Sequence, residues 1–244
     1  MWYPFVKEVV ENMNKTIGIL GGMGPMATCD LMKKIIENTE ASCDQEHLRI
    51  CVDSNTNIPD RTAAILGKGK DPRPEMIKSA VRLQGMGADV IIVPCNTAHC
   101  FLPDVEKCVD IPILYMPSET AKAVQAQNFQ IAAVLATDGT LQSGLYDYEL
   151  KKLGITPIHP DAEDQKMIME LIYDYVKAGK EYPTPENILA MEQRLIRQGV
   201  QCLILGCTEL PIAFSRIKTA LPVIDPTTVL AQSAIRYTSS KLKK

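Results

Sequence analysis

Short apolar runs rich in isoleucine and valine recur along the chain, and segments with apolar residues at every third or fourth position separate them. Such runs are typical of parallel strands covered on both faces, and the spaced pattern predicts amphipathic helices. The predicted strands are 16–20, 48–52, 90–93, 111–114, 131–135, 203–205 and 223–224, with one more within 154–160. The predicted helices are 27–38, 74–85, 118–127, 165–178, 186–198 and 227–244. The alternation favours an α/β fold with parallel sheets.

Three landmarks occur twice, in the same order. A strand runs into a turn that contains glycine, a later strand ends at a cysteine, and another short strand follows. Gly24 precedes Cys95 by 71 residues, and Gly139 precedes Cys207 by 68. We therefore predict two Rossmann-like (flavodoxin-like) domains related by a pseudo-twofold axis, with the active site in the cleft between them.

The predicted domain boundaries follow from this duplication. Residues 1–13 form an N-terminal extension, residues 14–114 together with 225–244 form the first α/β domain, and residues 115–224 form the second. No apolar run reaches the roughly 18 residues that span a bilayer, and the N-terminus lacks the basic start and long apolar core of a signal peptide. We expect a cytoplasmic protein.

Composition narrows the function classes. The 244 residues are 46% hydrophobic and 23% charged, with a net charge of −3. This balance gives no electrostatic reason to expect binding to nucleic acid or to an anionic membrane. Eight cysteines could form a disulfide set in a small secreted domain, but a chain of this length builds a core of its own, so we expect free thiols.

Cys95 and Cys207 carry the strongest chemical signal. Each ends an apolar strand and precedes polar residues that commonly start helices. The N–H groups and dipole at a helix N-terminus lower the pKa of a thiol and hold a carboxylate. A strand-end cysteine is more often a packing residue, but two at duplicated positions favour a function. A metal site at Cys95 and His99 is an alternative that the three histidines and the missing C-x-x-C pair disfavour.

Two loops offer groups that could bind an anion. GILGGMGP suggests a dinucleotide loop, although its glycines do not follow G-x-G-x-x-G. Its counterpart ATDGT, which includes Thr137, favours a hydroxyl-lined loop for a small anion, with a simple tight turn as the alternative. Arg61 follows the second strand and could grip a carboxylate through two hydrogen bonds, or form a solvated ion pair with Asp60.

The chain contains, in this order, GGMGP, NIPDRTAAILGKGKDPRP, PCNTAH, LATDGT, YVKAG and GCTEL. Together these fragments resemble the aspartate/glutamate racemase family, and within it the aspartate racemases that use no pyridoxal phosphate. The resemblance implies racemisation without cofactor or metal, by Cys95 and Cys207 on opposite faces of Cα. It implies that Arg61 and Lys177 bind the side-chain carboxylate. The other implied substrate-binding residues are Met23, Asn55, Asn96, Thr97, Thr137 and Thr208.

We therefore expect a racemase that interconverts L- and D-aspartate, a small-molecule substrate, and the resemblance implies a homodimer. It also implies that Cys207 takes the proton from the L-enantiomer and Cys95 from the D-enantiomer. Alternatives in the superfamily are glutamate or broad-specificity racemases, hydantoin racemase, maleate isomerase and arylmalonate decarboxylase. Arg61 with Lys177 favours a dicarboxylate. An alternative of another class is a non-catalytic small-anion-binding protein, in which the cysteines only pack.

Overall fold

The computed structural model describes residues 15–180, 182, 184–215 and 217–243. The predicted N-terminal extension, residues 1–13, lies outside the described residues. Within them, each half of the sequence forms one parallel β-sheet, and helices connect the strands. The predicted α/β fold class is confirmed.

The first sheet has the strand order β2-β1-β3, with β1 at Ile17–Gly21, β2 at Ile50–Ser54 and β3 at Val90–Ile92. The second has the order β5-β4-β6-β7, with β4 at Ile131–Ala136, β5 at Thr156–Ile158, β6 at Cys202–Gly206 and β7 at Val223–Ile224. All pairs are parallel, and Ile17 is in register with both Ile50 and Val90.

In the second sheet, β7 is the fourth strand. At the matching place in the first sheet there is only a single β-bridge, between Ile91 and Ile113. The prediction of a strand over 111–114 is therefore wrong in extent. Ile91 donates its N–H to the Pro112 carbonyl at 2.9 Å and accepts from the Leu114 N–H at 2.9 Å, and the pairing ends there because the chain enters a helix at Met116. The shared strand order otherwise agrees with the duplication seen in the sequence.

The helices are α1 (Pro25–Asn38), α2 (Arg61–Ile65), α3 (Arg73–Gly85), α4 (Leu102–Val105), α5 (Met116–Ala126), α6 (Asp138–Ser143), α7 (Leu145–Lys152), α8 (Ala162–Glu170), α9 (Pro185–Arg197), α10 (Leu210–Phe214) and α11 (Pro226–Tyr237). Short 3₁₀ turns lie at Asp44–Glu46, Thr97–Phe101 and Glu106–Cys108, and a π-helical turn lies at Leu171–Val176. None of the described helices is long and apolar enough to cross a membrane.

Two helix predictions differ from the structure. The predicted helix over 165–178 is α8 followed by the π-helical turn. The predicted helix over 227–244 ends at Tyr237, because Ser239 adopts a φ of 63°, a left-handed conformation that terminates helices. Leu242 then bridges to Thr39.

Successive strand residues point to opposite faces of a sheet. Apolar clusters cover both faces of each sheet. In the first sheet, Ile17 and Ile19 belong to one apolar cluster and Leu20 to another. Helix α11 adds Leu230 and Ile235 to the cluster of Ile17, although it follows the second sheet in sequence. The predicted grouping of residues 225–244 with the first domain requires such packing, while the boundaries themselves stay a prediction.

Candidate active site

The carboxyl ends of both sheets border one cavity. Cys95 lies three residues after β3 and Cys207 directly follows β6, so each half contributes a thiol from the same edge of its sheet. All eight cysteines are free thiols. The cavity contains about 300 Å³ of space free of protein atoms, part of which is open to solvent. It is lined by Met23, Asp60, Arg61, Thr62, Cys95, Asn96, Thr97, Thr137, Tyr173, Lys177, Cys207, Thr208 and Glu209.

Nine of the ten residues that the sequence predicts for the site lie in this lining, and Asn55 does not. The Asn55 amide donates to Ser79 Oγ at 3.1 Å, and its oxygen accepts from the Asn57 N–H at 3.1 Å. The Asn55 backbone lies against Gly22, whose φ is +89° and whose Cβ, if present, would be 2.4 Å from the Asn55 carbonyl carbon. Asn55 therefore shapes the glycine turn that carries Met23, and only glycine fits at position 22.

Glu209 accepts a hydrogen bond from the Cys207 thiol. Cys207 Sγ donates to Glu209 Oε2 at 2.9 Å, and the Thr208 hydroxyl donates to the same oxygen at 3.2 Å. Burial and the charge of Glu209 raise the pKa of Cys207 well above its usual value, and Lys177 opposes that rise. The expected lowering of the thiol pKa by a helix N-terminus is wrong for Cys207, because burial and a buried carboxylate outweigh the dipole of a five-residue helix.

Main-chain oxygens hold the Arg61 guanidinium in place. Nη1 donates to the carbonyl of Pro59 at 3.0 Å, and Nη2 donates to the carbonyl of Met23 at 3.1 Å. Arg61 is only 8% exposed, so the alternative of a solvated ion pair is wrong. Burial disfavours its charge, but the neighbouring Cys95 sulfur contributes to a raised pKa for Arg61. Nε is buried without a partner among the described residues, which leaves one edge of the cation for an anion.

Asn96 offers a second unpaired donor. Its side-chain oxygen accepts a hydrogen bond from the Tyr146 hydroxyl at 2.5 Å, which fixes the orientation of the amide. Its Nδ2 is buried and has no partner within the described part of the chain. Buried donors are nearly always satisfied in proteins, so this one, beside the cavity, is available to a hydrogen-bond acceptor there.

Threonine hydroxyls join the two halves at the edge of the cavity. Thr137 Oγ1 lies 3.3 Å from Thr62 Oγ1 and 3.2 Å from Thr97 Oγ1. Thr140 Oγ1 lies 2.8 Å from Thr97 Oγ1. These four buried side chains form the threonine cluster, which links α2 and the Cys95 loop of the first half to α6 of the second.

His99 supports the loop of Cys95 from behind. His99 Nδ1 lies 2.9 Å from the Cys95 carbonyl oxygen, and Nε2 accepts from the Met116 N–H at 3.1 Å. Complete burial lowers the pKa of His99 to about 4, so the ring is neutral and Nδ1 carries the proton. Both nitrogens are thus engaged by the main chain, which removes His99 as a metal ligand beside Cys95. Within the described residues, no group of three or more His, Cys, Asp or Glu side chains is placed to hold a metal ion.

Lys177 reaches the cavity from the end of the π-helical turn. The residue as a whole is exposed, but its ammonium group lies 4.4 Å from the centroid of the Tyr173 ring, within the cavity lining. Burial opposes its charge, while Glu209 and Cys207 raise the pKa of Lys177 above its usual value. Lys177 is therefore a cation at neutral pH.

Four lining residues, Asp60, Thr62, Tyr173 and Glu209, are absent from the predicted site. Glu209 and Tyr173 had a recognisable signal. Glu209 follows Cys207 by two residues within the GCTEL fragment, a spacing that lets a carboxylate return to the sulfur at the first turn. Tyr173 stands four residues before Lys177, the spacing at which side chains meet on one face of a helix.

Comparison with known proteins places this site in a family. The pattern that defines the family described as Asp/Glu/Hydantoin racemase matches residues 20–234. The chain belongs to this family. The racemase fold also appears in solved structures that superpose on it, among them the Picrophilus torridus aspartate racemase, with a TM-score of 0.79, 31% identity, and coverage of 94% of this chain and 96% of that one.

Other similar members of the racemase family differ in the substrates that their names give. The broad specificity amino-acid racemase RacX of Bacillus subtilis is 29% identical over 228 residues, which cover 90% of this chain and 96% of the relative. Glutamate racemase from Francisella tularensis, solved in complex with D-glutamate, has a TM-score of 0.61 and 18% identity, and the match covers 93% of this chain and 82% of that one. At that identity the likeness supports the fold alone.

Proposed function

We propose that the protein is a cofactor-independent racemase that acts on aspartate, and that Cys95 and Cys207 exchange the proton at Cα. The pair of thiols, one from each half in the lining of a single cavity, carries this proposal. Inversion at a carbon requires one group to remove a proton and another to supply a proton on the opposite face. Family membership and the 31% identity to an aspartate racemase support the same assignment.

The unpaired donors support the choice of an anionic substrate. Arg61 Nε and Asn96 Nδ2 are buried without partners, and leaving such a group unsatisfied costs about 1–3 kcal/mol. A dicarboxylate satisfies both donors and meets a second cation at Lys177. We assign Arg61 and Lys177 to the side-chain carboxylate. We assign the α-carboxylate to Asn96, Thr97, Thr137 and Thr208, with Met23 lining the pocket.

The proton transfers need no additional reactant. From L to D, the Cys207 thiolate removes the α-proton and becomes a thiol, and the electron pair left on Cα delocalises into the α-carboxylate. The Cys95 thiol then protonates the opposite face and becomes a thiolate. The reverse reaction exchanges these roles. Glu209 holds on Cys207 the proton that the reverse reaction delivers to Cα, and donors around the α-carboxylate stabilise the developing charge.

Replacing either cysteine tests the two-thiol mechanism. C95S and C207S should each lower racemisation by about 10²- to 10⁴-fold, because a serine hydroxyl is a much weaker acid than a thiol. C43S, which changes an exposed thiol, is the matched control and should behave like wild type. Polarimetry in both directions is the measurement. Either site variant with wild-type turnover in both directions contradicts the mechanism.

Hydrogen exchange in heavy water tests the direction assigned to each thiol. C95S retains the base for the L-enantiomer and should exchange the α-hydrogen of L-aspartate only, whereas C207S should exchange that of D-aspartate only. Mass spectrometry of recovered aspartate gives the deuterium content. The opposite pattern reverses the assignment. A wild-type protein that binds aspartate and exchanges nothing supports the non-catalytic anion-binding alternative.

A broad-specificity racemase is the second candidate, because two carboxylates share the cavity with the two cations. Asp60 and Glu209 line the same space as Arg61 and Lys177 and offset part of their charge. Balanced charge weakens the preference for an anionic side chain. A panel of D- and L-amino acids decides between the candidates: a kcat/KM for aspartate at least tenfold above those for glutamate, alanine and lysine supports aspartate, and similar values support broad specificity.

A further inference from the structure

We infer that Tyr173 is a positioning residue, whose ring holds the Lys177 ammonium group so that its N–H donors are available to a carboxylate in the cavity. This inference rests on the proposed function, because it takes a dicarboxylate as the ligand of Lys177. It assigns the aromatic ring a part in substrate recognition.

The contact between cation and ring is the first observation. Lys177 Nζ lies 4.4 Å from the Tyr173 centroid, inside the roughly 6 Å range of cation–π attraction. None of the ion pairs among the described residues includes Lys177. An aromatic face attracts an ammonium group from one side, so N–H donors on its other side stay available to a carboxylate. The ring therefore positions the cation and keeps it available for a ligand.

The backbone that carries both residues is the second observation. Tyr173 belongs to the π-helical turn, and the Lys177 N–H closes it by donating to the Ile172 carbonyl at 3.0 Å. Leu171 and Ile172 are fully buried and anchor the turn in the second half's core. With these two residues facing the core, Tyr173 and Lys177 stand together on the cavity side. Single π-helical turns are frequent at functional sites.

The surroundings of the ring indicate that it acts as a ring and not as an acid or base. Tyr173 is half-buried and lines the cavity beside Arg61 and Thr62. Burial raises the pKa of Tyr173, and Thr62 and Lys177 only partly oppose that rise. The phenol therefore keeps its proton at neutral pH, and the electron-rich face of the neutral ring is what Lys177 contacts.

Substitution of the ring tests the inference. Y173L removes the aromatic face and should lower kcat/KM for aspartate by about 5- to 30-fold, mainly through a higher KM, whereas Y173F should recover most of that loss. Calorimetric titration with aspartate should show the same order of affinities. Y175L is the matched control: Tyr175 lies on the same turn, packs edge-on against Tyr182 with centroids 5.2 Å apart, and is not in the cavity lining. Y173Q gives the same comparison if Y173L does not fold.

A double-variant cycle shows whether the ring acts through the cation. In a K177M background, Y173L should cause less than a twofold further loss, because no ammonium group remains to be positioned. The inference is overturned if Y173L causes equal losses in both backgrounds, or if Y173L alone leaves kinetics and affinity unchanged. In either case, racemisation by the wild type leaves the proposed function intact. A wild-type protein that racemises no amino acid instead refutes the proposed function.

Discussion

The two candidate acid/base thiols have opposite electrostatic neighbours. Cys207 donates to the carboxylate of Glu209, whereas the Cys95 sulfur lies beside the guanidinium of Arg61. A carboxylate holds a proton on a neighbouring sulfur. The two halves therefore share the position of the thiol and not its surroundings. We expect Cys207 to be a thiol in the resting protein.

Removing the Glu209 charge should change the pH at which Cys207 reacts. In the wild type, Cys207 stays protonated above the pH at which an ordinary thiol ionises, and E209Q should lower that pH. Iodoacetamide alkylates the thiolate, so labelling of the Cys207 peptide, followed by mass spectrometry, should begin at lower pH in E209Q. E186Q changes an exposed glutamate and serves as control. Coincident labelling profiles for wild type and E209Q would contradict this explanation.

Arg61 supports two loops in addition to the carboxylate binding that we propose for it. R61A should lose about 2–5 kcal/mol of transition-state stabilisation for aspartate, because it removes a buried charged partner. R61K keeps the charge but lacks the planar fork that holds the carbonyls of Pro59 and Met23, so it should restore only part of the activity. The substrate alanine has no side-chain carboxylate, so its kcat/KM should fall less in R61A than that of aspartate. Values of kcat/KM for both substrates give the comparison, and equal losses would falsify the carboxylate assignment.

At the scale of elements, sequence patterns locate the central strands and miss the short elements around the site. β1, β4 and β6 are apolar runs that suit burial on both faces, so their positions are readable from sequence. Helices α2 and α6 are five and six residues long, too short to show a periodic apolar face. The π-helical turn keeps the apolar spacing of α8 and is indistinguishable from its continuation.

The site shows the same division. Cys95, Cys207 and Arg61 are readable because they lie in the segments that follow strands, where parallel sheets present side chains to a ligand. Glu209 stands two residues after Cys207, a spacing that allows its carboxylate to reach the sulfur, but only the backbone path of that turn brings the two atoms to 2.9 Å. Asn55 shows the reverse: it stands at a strand end, but its amide is engaged by Ser79 and turned away from the cavity lining.

The contact between α2 and α6 depends on a glycine. A Cβ at Gly139 would lie 2.9 Å from Thr62 Cα, so G139A should push the two helices apart and weaken the 3.3 Å hydrogen bond between Thr62 and Thr137. We expect kcat/KM for aspartate to fall by about 10- to 100-fold, the scale of a small misplacement at a reacting centre. G85A is the control, because a Cβ there meets nothing within 4 Å. Wild-type kinetics in G139A would show that the helices separate without cost.

At the scale of the whole molecule, α11 ties the end of the chain to its beginning. The helix follows the second sheet, yet it packs against α1 and α5 and contributes to the cluster that contains Ile17. An element from the far end of the sequence therefore completes the core of the first half. The same helix packs Val229 against an apolar cluster of the second sheet, so we expect its unfolding to affect both halves.

A substitution that creates a cavity beside α11 should destabilise both halves together, in a single unfolding transition. Leu230 is fully buried, and L230A should cost about 2–5 kcal/mol of unfolding free energy. Chemical denaturation followed by circular dichroism should show a single transition at lower denaturant concentration. L189A removes a side chain that is 37% exposed and should shift the midpoint much less. Two separate transitions in L230A would show that the halves unfold independently.

The hydrogen bonds of the threonine cluster, where the two halves meet, have no fixed direction. Each hydroxyl can donate or accept, so the hydrogen bonds between Thr97, Thr137 and Thr140 can run in either direction around the cluster. For the α-carboxylate proposed to bind here, the hydroxyls of Thr97 and Thr137, which line the cavity, can turn their hydrogens toward the ligand, and without it they can bond to one another. No heavy atom has to move, and no fixed charge stays behind in the empty cavity. The contact between the halves can therefore supply hydrogen-bond donors to the proposed carboxylate without a permanent positive charge.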